Sequence, residues 1–171
     1  MPLRTAFSEM NCSLARALDQ MGDPWALLIL RECLIGVERF DDFQQALGVA
    51  RKVLADRLAR LTTHGLLERV PLDGSGKRAA YRLTDKGHAL VPALVAVMQW
   101  GDTWVSGSGR EPVRLTGARG AVLAPVQLRT SQGKPVPPHQ VRMAPGPGAD
   151  RRTRGHLAQC AALQDAPGHH A

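Results

Sequence analysis

VERFDDFQQALGVARKVLADRLARLTTHGLLERVPLDGSGKRAAYRLT, residues 37–84, is the stretch that decides the fold. Its first part carries the signals of a short helix. Asp41 can cap the helix N-terminus, and Gln44 stands three residues later, which is the spacing of a capping box. Gly48 supplies the left-handed residue that commonly ends a helix. These signals predict a helix from Asp41 to Leu47.

A second helix is predicted to begin near Ala50. Leu54, Leu58 and Leu61 recur at the helical period and form one buried stripe, and Gly65 marks the end of the helix. The opposite face and the first turn carry basic, polar and small side chains: Arg51, Lys52, Ala55, Asp56, Ala59 and Thr63. A helix that reads base edges in the major groove needs this combination, because small residues let its backbone approach the groove floor.

A hairpin is predicted after this helix. Leu66–Val70 and Ala79–Leu83 have the composition of short strands, and the connection Pro71–Arg78 holds turn residues and ends in Lys77 and Arg78. Cations at a hairpin tip can reach phosphates or a minor groove. Two helices followed by a basic hairpin predict a helix-turn-helix with a wing, a shape that fits duplex DNA.

A last helix is expected to follow the hairpin, capped by Thr84 or Asp85. Its apolar residues are Leu90, Leu94, Val97, Met98 and Trp104. Pro92 interrupts this set, and we expect it to start or kink the helix because proline cannot donate a hydrogen bond inside one. The predicted fold class is therefore mainly α with a small β-hairpin wing.

Seven segments of the chain resemble, in order, the HxlR-type winged helix-turn-helix transcriptional regulators of bacteria. They are CSLARAL (12–18), WALLILREC (25–33), RFDDFQQALG (39–48), LADRLARL (54–61), GLLER (65–69), YRLTDKG (81–87) and QWGDTW (99–104). Together they cover most of residues 10–105, and their order makes the resemblance more specific than any one segment would be alone.

The resemblance implies a homodimer that is joined through its N-terminal and C-terminal helices. It also implies that the dimer binds inverted-repeat operator DNA. Such proteins repress or activate nearby genes and catalyse no reaction. By position, the residues that would face the major groove are Ala50, Arg51, Lys52, Ala55 and Asp56. The resemblance places Lys77 and Arg78 in the wing.

Two further residues of the second helix have alternative roles. Asp56 can accept a hydrogen bond from cytosine, or it can form ion pairs with Lys52 and Arg60, each four residues away. We favour the ion pairs because phosphates repel an unpaired carboxylate. Arg57 projects about 60° from the leucine stripe, and we expect it to contact a phosphate or to flank the packed face.

The distribution of charge separates two parts of the chain of 171 residues, which is 44% apolar and carries a formal net charge of +7. Lys and Arg number 13 against 12 Asp and Glu through Val105, but 9 against 3 from Ser106 onward. We predict a DNA-binding and dimerisation domain over residues 1–105 and a basic, partly disordered tail over residues 106–171. Specificity for DNA must then come from local cations, since bulk charge attracts DNA of any sequence.

The tail holds 9 of the 17 glycines and 8 of the 12 prolines. Its part from Val113 to Gly148 is similar to an extension that forms a small zinc-ribbon-like element in some family members. The corresponding ligand positions are Arg119, Ala121, Arg129 and Gln132, none of which is a normal ligand for structural zinc. We predict no metal and no cofactor here, and we expect the scattered His156, Cys160, His169 and His170 to be solvated.

The three cysteines are too far apart to predict a disulfide framework or a metal knuckle. Cys12 occupies a position at which some family members have a redox or electrophile sensor, and the alternative is packing at a dimer interface. Cys33 is expected in the core. Trp25, Trp100 and Trp104 are expected to pack the core or the dimer interface rather than to line an effector pocket.

Other classes of function are less consistent with the sequence. A winged helix can be a protein-interaction module, but a basic helix face and wing favour DNA. The sequence has no glycine-rich phosphate loop after a strand and no Ser/His/Asp or Cys/His set, so we do not expect an enzyme. Trp25–Leu30 and Ala89–Met98, its longest apolar runs, are shorter than the ~18 to 20 residues that cross a bilayer. No signal peptide is visible either, so we expect a cytoplasmic protein. Three alternatives stay open for the signal that controls the regulator: a small molecule, a thiol reaction at Cys12, or no signal at all.

Overall fold

The computed structural model describes residues 7–73, 78–107 and 109–164. The chain divides into two compact units. The larger unit is Ala17–Val126, and the smaller unit combines Met1–Arg16 with Gln127–Ala171. The helices described in the chain include none that is long and apolar enough to cross a membrane.

The winged-helix part of the chain consists of short helices and one antiparallel hairpin. In order these elements are α1 (Ser13–Met21), α2 (Pro24–Leu34), α3 (Phe40–Leu47), α4 (Arg51–Thr63), β1 (Leu67–Pro71), β2 (Ala79–Leu83), α5 (Asp85–His88) and α6 (Val91–Gly101). A π-helical turn over Asp102–Ser106 continues α6. The predicted fold class, mainly helical with a small hairpin, is confirmed.

Of the two predicted ends of α3, the structure confirms the C-terminal one and not the N-terminal one. Gly48 adopts the left-handed conformation, with φ 61°, and ends the helix as predicted. The predicted N-terminal cap is wrong, because the helix begins one residue earlier and Arg39 stands at the cap without a side-chain hydrogen bond. Asp41 therefore lies inside the first turn, and its carboxylate accepts a hydrogen bond from Arg51 instead.

The leucine stripe of α4 is buried as predicted. Leu54, Leu58 and Leu61 are fully buried, and they pack in one core with Phe43 of α3 and Ile29 of α2. Burial of this kind contributes roughly 1.5–3 kcal/mol for each large apolar side chain. The same packing orients α4, so that its opposite face is directed toward solvent.

The hairpin is held against the start of α3. Leu67 pairs with Leu83 and Arg69 with Tyr81 in an antiparallel register, while Arg39 forms an isolated bridge to Ala80. Predicted and observed strands agree within one residue. The start of β2 therefore lies beside the residue that precedes α3.

Helix α6 begins where the sequence indicated. Pro92 lies in its first turn. Backbone amides there have no partner within the helix, so the missing N–H of proline costs no hydrogen bond. Thr84 caps the separate short helix α5, and its hydroxyl accepts a hydrogen bond of 3.1 Å from the Gly87 amide. The predicted single last helix is thus two helices, broken just before Val91.

The smaller unit contains a helix that the sequence analysis did not predict. Helix α7 spans Arg151–Gln164, and the Asp150 carboxylate caps it by accepting a hydrogen bond of 2.7 Å from the Thr153 amide. Asn11 joins the two segments of this unit, because its side-chain amide donates to the Gly148 carbonyl at 3.0 Å. The Thr153 hydroxyl also donates to the Asn11 side-chain oxygen at 3.0 Å. A good cap and a run without proline thus form a helix in a tail that is otherwise rich in proline.

Candidate nucleic-acid interface

The exposed face of α4 brings together most of the predicted recognition residues. Ala50 precedes the helix, and the first two turns expose Arg51, Lys52, Ala55 and Asp56. These residues lie opposite the buried leucines, so the core fixes which side of the helix faces outward. Small and basic side chains together at a helix N-terminus can enter a major groove and contact base edges.

Arg51 is held against α3 in this structure. Its guanidinium donates to the Asp41 carboxylate and to the Gln44 side-chain oxygen, both at 3.1 Å. The guanidinium carbon also lies 4.6 Å from the centre of the Phe40 ring, close enough for a cation–π contact. Asp41 and Gln44, predicted as a capping box, instead orient the first cation of α4.

The favoured interpretation of Asp56 is wrong. Within the described residues, neither Lys52 nor Arg60 lies within salt-bridge distance of its carboxylate. Arg60 instead donates to the Asp19 main-chain carbonyl and lies 3.8 Å from the Asp19 carboxylate. Arg60 is drawn to α1 because the carbonyls at the end of that helix offer an acceptor. Asp56 and Lys52 therefore both face solvent on the outer surface of α4.

Arg57 connects α4 to the start of α2. Its guanidinium donates to the Asp23 carboxylate, which also accepts a hydrogen bond of 3.3 Å from the Ala26 amide as the cap of α2. Arg57 and its partner are both partly buried. The geometry corresponds to the packing flank, one of the two roles expected for Arg57. With the Arg60 contact, it ties α4 to the corner between α1 and α2.

The wing is described in part. Arg78 is exposed just before β2, whereas Lys77 lies outside the described residues. Two arginines that the sequence analysis did not select, Arg39 and Arg69, line the same cleft as Arg78 and Arg51. The two arginines come together because the hairpin pairs with Arg39, the residue before α3. No local sequence pattern predicts this long-range pairing.

The remaining predicted residues occupy different environments. Cys12 is exposed, while Cys33 packs against the core, and burial raises the pKa of the Cys33 thiol to about 12. Trp25 also packs against the core. Trp100 and Trp104 are 61% and 74% exposed. The core assignment of Cys33 and Trp25 is confirmed. Trp100 and Trp104 are not in the core, and their place in a dimer interface stays a prediction.

The tail positions considered for metal binding show no ligand set. Arg119, Ala121, Arg129 and Gln132 are exposed, and the described residues contain no group of three or more His, Cys, Asp or Glu side chains that could hold a metal ion. His156 lies 3.7 Å from the Cys160 sulfur, one turn away on α7. His169 and His170 lie outside the described residues.

Comparison with known proteins identifies related regulators. The model of the HxlR-like helix-turn-helix family matches residues 20–108, just over half of the chain. The uncharacterized HTH-type transcriptional regulator Rv3095 of Mycobacterium tuberculosis is 43% identical over 103 residues, which cover 60% of this chain and 65% of the relative. The uncharacterized HTH-type regulator YvaP of Bacillus subtilis is 34% identical over 102 residues, 59% of this chain and 94% of the relative.

Two solved structures have a similar fold. PA1607, described as a candidate transcription factor, has a TM-score of 0.74 and 39% identity, and the match covers 83% of this chain and 100% of that chain. A second candidate transcription factor, PA1374 from Pseudomonas aeruginosa, has a TM-score of 0.61 and 33% identity over 85% of this chain and 99% of that chain. Because residues 1–105 are less than two thirds of the chain, both matches extend into the tail.

Proposed function

The chain belongs to the HxlR-like helix-turn-helix family, and on that premise we propose that it is a transcriptional regulator that binds inverted-repeat operator DNA as a homodimer. Its reported relatives are named as transcriptional regulators and not as enzymes. The observation that carries the proposal is the outer face of α4, where Arg51 and Lys52 are exposed opposite a fully buried leucine stripe. The proposed action is repression or dual regulation.

In this proposal the N-terminal half of α4 enters the major groove. The base-facing residues are Ala50, Arg51, Lys52, Ala55 and Asp56. Lys77 and Arg78 of the wing contact phosphates, and Arg57 supports the helix from its flank. We also propose the cytoplasm as its location, because the proposed partner is chromosomal DNA.

Two exposed apolar surfaces support a homodimer. Near the end of α6, Val97, Trp100, Trp104 and Val105 are 57–74% exposed. Helix α1 separately exposes Leu14 and Leu18. Contiguous apolar surface of this kind commonly marks an interaction site, and a two-fold dimer would match the symmetry of an inverted repeat.

Regulation by oxidation of Cys12 is the second candidate. It is supported by the exposure of Cys12 just before α1, because a sensing thiol must be accessible to its reagent. Its proximity to the exposed leucines of α1 would let a modification act on the proposed dimer surface. A small-molecule effector remains an equal alternative, whereas no observation favours a module that binds only proteins.

The test is selection of binding sites from random duplexes, followed by fluorescence anisotropy with excess competitor DNA. We expect saturable binding to an inverted repeat. Arg51→Ala or Lys52→Ala should weaken specific binding by about 1–3 kcal/mol, whereas Lys77→Ala or Arg78→Ala should weaken binding to all duplexes alike. If all four variants bind like the wild type, the proposed docking is wrong.

The same assay tests the thiol. Diamide should abolish operator binding in the wild type, and added thiol should restore it, if Cys12 is the sensor. Cys12→Ser should then bind equally with and without diamide. Loss of binding in both proteins would assign the effect to another residue.

A further inference from the structure

Three residues of α3 hold the guanidinium of Arg51 in one position. Its Nη1 group donates to the Asp41 carboxylate and to the Gln44 side-chain oxygen, both at 3.1 Å. The Phe40 ring lies 4.6 Å from the guanidinium carbon. Because Arg51 is the first residue of α4, these contacts cross the turn between the two helices and restrict the direction of its side chain.

The three residues that hold Arg51 are positioned by the fold. Phe40 is half-buried and packs against the hydrophobic core. Asp41 and Gln44 stand three residues apart on a regular helix, so their side chains lie on one face. The same helix buries Phe43 completely, which fixes the rotation of that face. The place of the guanidinium is therefore set by the core through α3.

These contacts engage one part of the guanidinium and leave another part open. Among the residues that the structure describes, only the Nη1 group of Arg51 has hydrogen-bond partners. The Nε and Nη2 groups form one edge of the rigid fork, and two N–H groups on such an edge can bind two acceptors at once. The Arg51 side chain is 68% exposed, so this edge is accessible from solvent.

An open arginine edge fits guanine better than the other bases of a duplex. In the major groove guanine presents two adjacent acceptors, O6 and N7, whereas adenine places a donor beside N7 and cytosine presents a donor. A donor opposite the edge would leave an arginine N–H without a partner. Ala50 and Ala55 are exposed beside Arg51, and their small side chains let the helix come close enough for this contact.

We propose that Arg51 contacts one guanine in each operator half-site, and that Asp41 and Gln44 are the positioning residues for this contact. The inference rests on the proposed DNA-binding function. It adds to that function the identity of one base and two residues outside the recognition helix. A guanidinium that is already held loses less side-chain freedom when DNA binds. Discrimination at this base pair therefore depends on α3 as well as on α4.

The test measures base preference at each position of a selected operator. Fluorescence anisotropy compares duplexes in which each base pair of one half-site is replaced by the other three. The wild type should prefer guanine at one position by roughly 5- to 150-fold, and Arg51→Ala should lose this preference. Asp41→Ala should lower the same preference roughly two- to fivefold and leave the preferences at the other positions unchanged.

Two neighbouring residues provide matched controls. Asp42 is exposed in the same first turn of α3, so Asp42→Ala removes the same charge as Asp41→Ala. Loss of a negative charge near DNA raises the affinity for all duplexes alike, and the ratio between bases therefore separates positioning from charge. Gln45→Ala is the control for Gln44→Ala, which should lower the guanine preference with no change of charge. Thermal unfolding verifies that the variants are folded.

A double-mutant cycle tests whether Asp41 acts through Arg51. In a chain with Arg51→Ala, adding Asp41→Ala should change the base preference no further. Asp41→Asn keeps an acceptor oxygen for the guanidinium and should retain part of the preference that Asp41→Ala loses. A role of Asp41 confined to the stability of α3 would instead weaken binding to all duplexes alike.

The outcomes distinguish this inference from the proposed function. If the wild type selects no duplex, the DNA-binding proposal fails and the positioning proposal fails with it. If the wild type binds an operator but Arg51→Ala alters no guanine preference, the positioning proposal alone is overturned. It is also overturned if Asp41→Ala and Gln44→Ala keep the wild-type preference, or if Asp42→Ala changes it as much as Asp41→Ala does. A higher guanine preference in Asp41→Ala would overturn it too, because the carboxylate would then compete with the base.

Discussion

Replacing Gly87 by alanine should destabilise the junction between α4 and the wing. A Cβ atom at this buried glycine would lie 2.3 Å from the Leu66 carbonyl oxygen and 2.9 Å from a methyl carbon of Leu83. Cβ atoms essentially never approach closer than 3.0 Å, so the carbonyl must move by at least 0.7 Å. That carbonyl also accepts a hydrogen bond of 3.2 Å from the Thr84 amide, which resists the movement.

The expected magnitude follows from two opposing effects. Overpacking of a close-packed site typically costs 1–3 kcal/mol, while replacing a helical glycine by alanine contributes up to about 1 kcal/mol in the other direction. The obstructing atom is a backbone oxygen that cannot rotate away, so the overpacking cost should be in the upper part of its range, about 2–3 kcal/mol, and the net destabilisation about 1–2 kcal/mol. For a chain of this size, this corresponds to a decrease of roughly 2–8 °C in the midpoint of thermal unfolding.

Circular dichroism at fixed protein concentration measures this midpoint. Gly101→Ala is the matched control, because Gly101 is helical and a Cβ there meets nothing within 4 Å. Its midpoint should stay unchanged or rise. A Gly87→Ala protein as stable as the wild type would refute the packing described at this junction.

Three further predictions address the contact between Asp23 and Arg57, the proposed dimer surface and the thiols. Asp23→Ala should lower the free energy of unfolding by about 1–2 kcal/mol, because the α2 cap is lost. Asp23→Asn should keep the cap and lose only the charge opposite Arg57, so its loss should be smaller. Equal losses of the two variants in chemical denaturation would contradict the capping role. Trp104→Glu should raise the dimer dissociation constant at least tenfold without lowering monomer stability, since the side chain is 74% exposed; unchanged sedimentation would place the interface elsewhere. Cys12 should react with a thiol reagent before Cys33, whose pKa is raised to about 12 by burial, and mass spectrometry showing the reverse order would refute the assigned environments.

The fold was predictable where a local signal determined it, either a periodic apolar stripe or a single residue with a restricted backbone. The three leucines of α4 identify its buried face, Gly48 ends α3, and Pro92 marks the start of α6. Each of these signals acts over a few residues and depends on backbone geometry or apolar burial. No distant partner is needed to interpret them.

The polar contacts were less predictable because long side chains choose partners across the fold. Asp41 is a plausible cap by sequence, yet it pairs with Arg51, ten residues away. Arg60 is well placed for Asp56 on one helix but binds Asp19 of α1. Arg39 and Arg69 become neighbours only through the packing of the hairpin, and α7 forms within a tail whose overall composition indicates little regular structure.

The most direct test of the account places a DNA-cleaving reagent on the outer face of α4. Ala55→Cys, in a chain with Cys12→Ser and Cys160→Ser, would carry the tethered reagent, and Arg119→Cys would serve as the control position. On a selected operator, the reagent at residue 55 should cut at two symmetric positions in the major groove, about one helical turn or a multiple of it apart. The control should cut weakly or without preference. Cleavage at residue 55 that is absent, or no more localised than that of the control, would contradict the claim that α4 lies in the major groove.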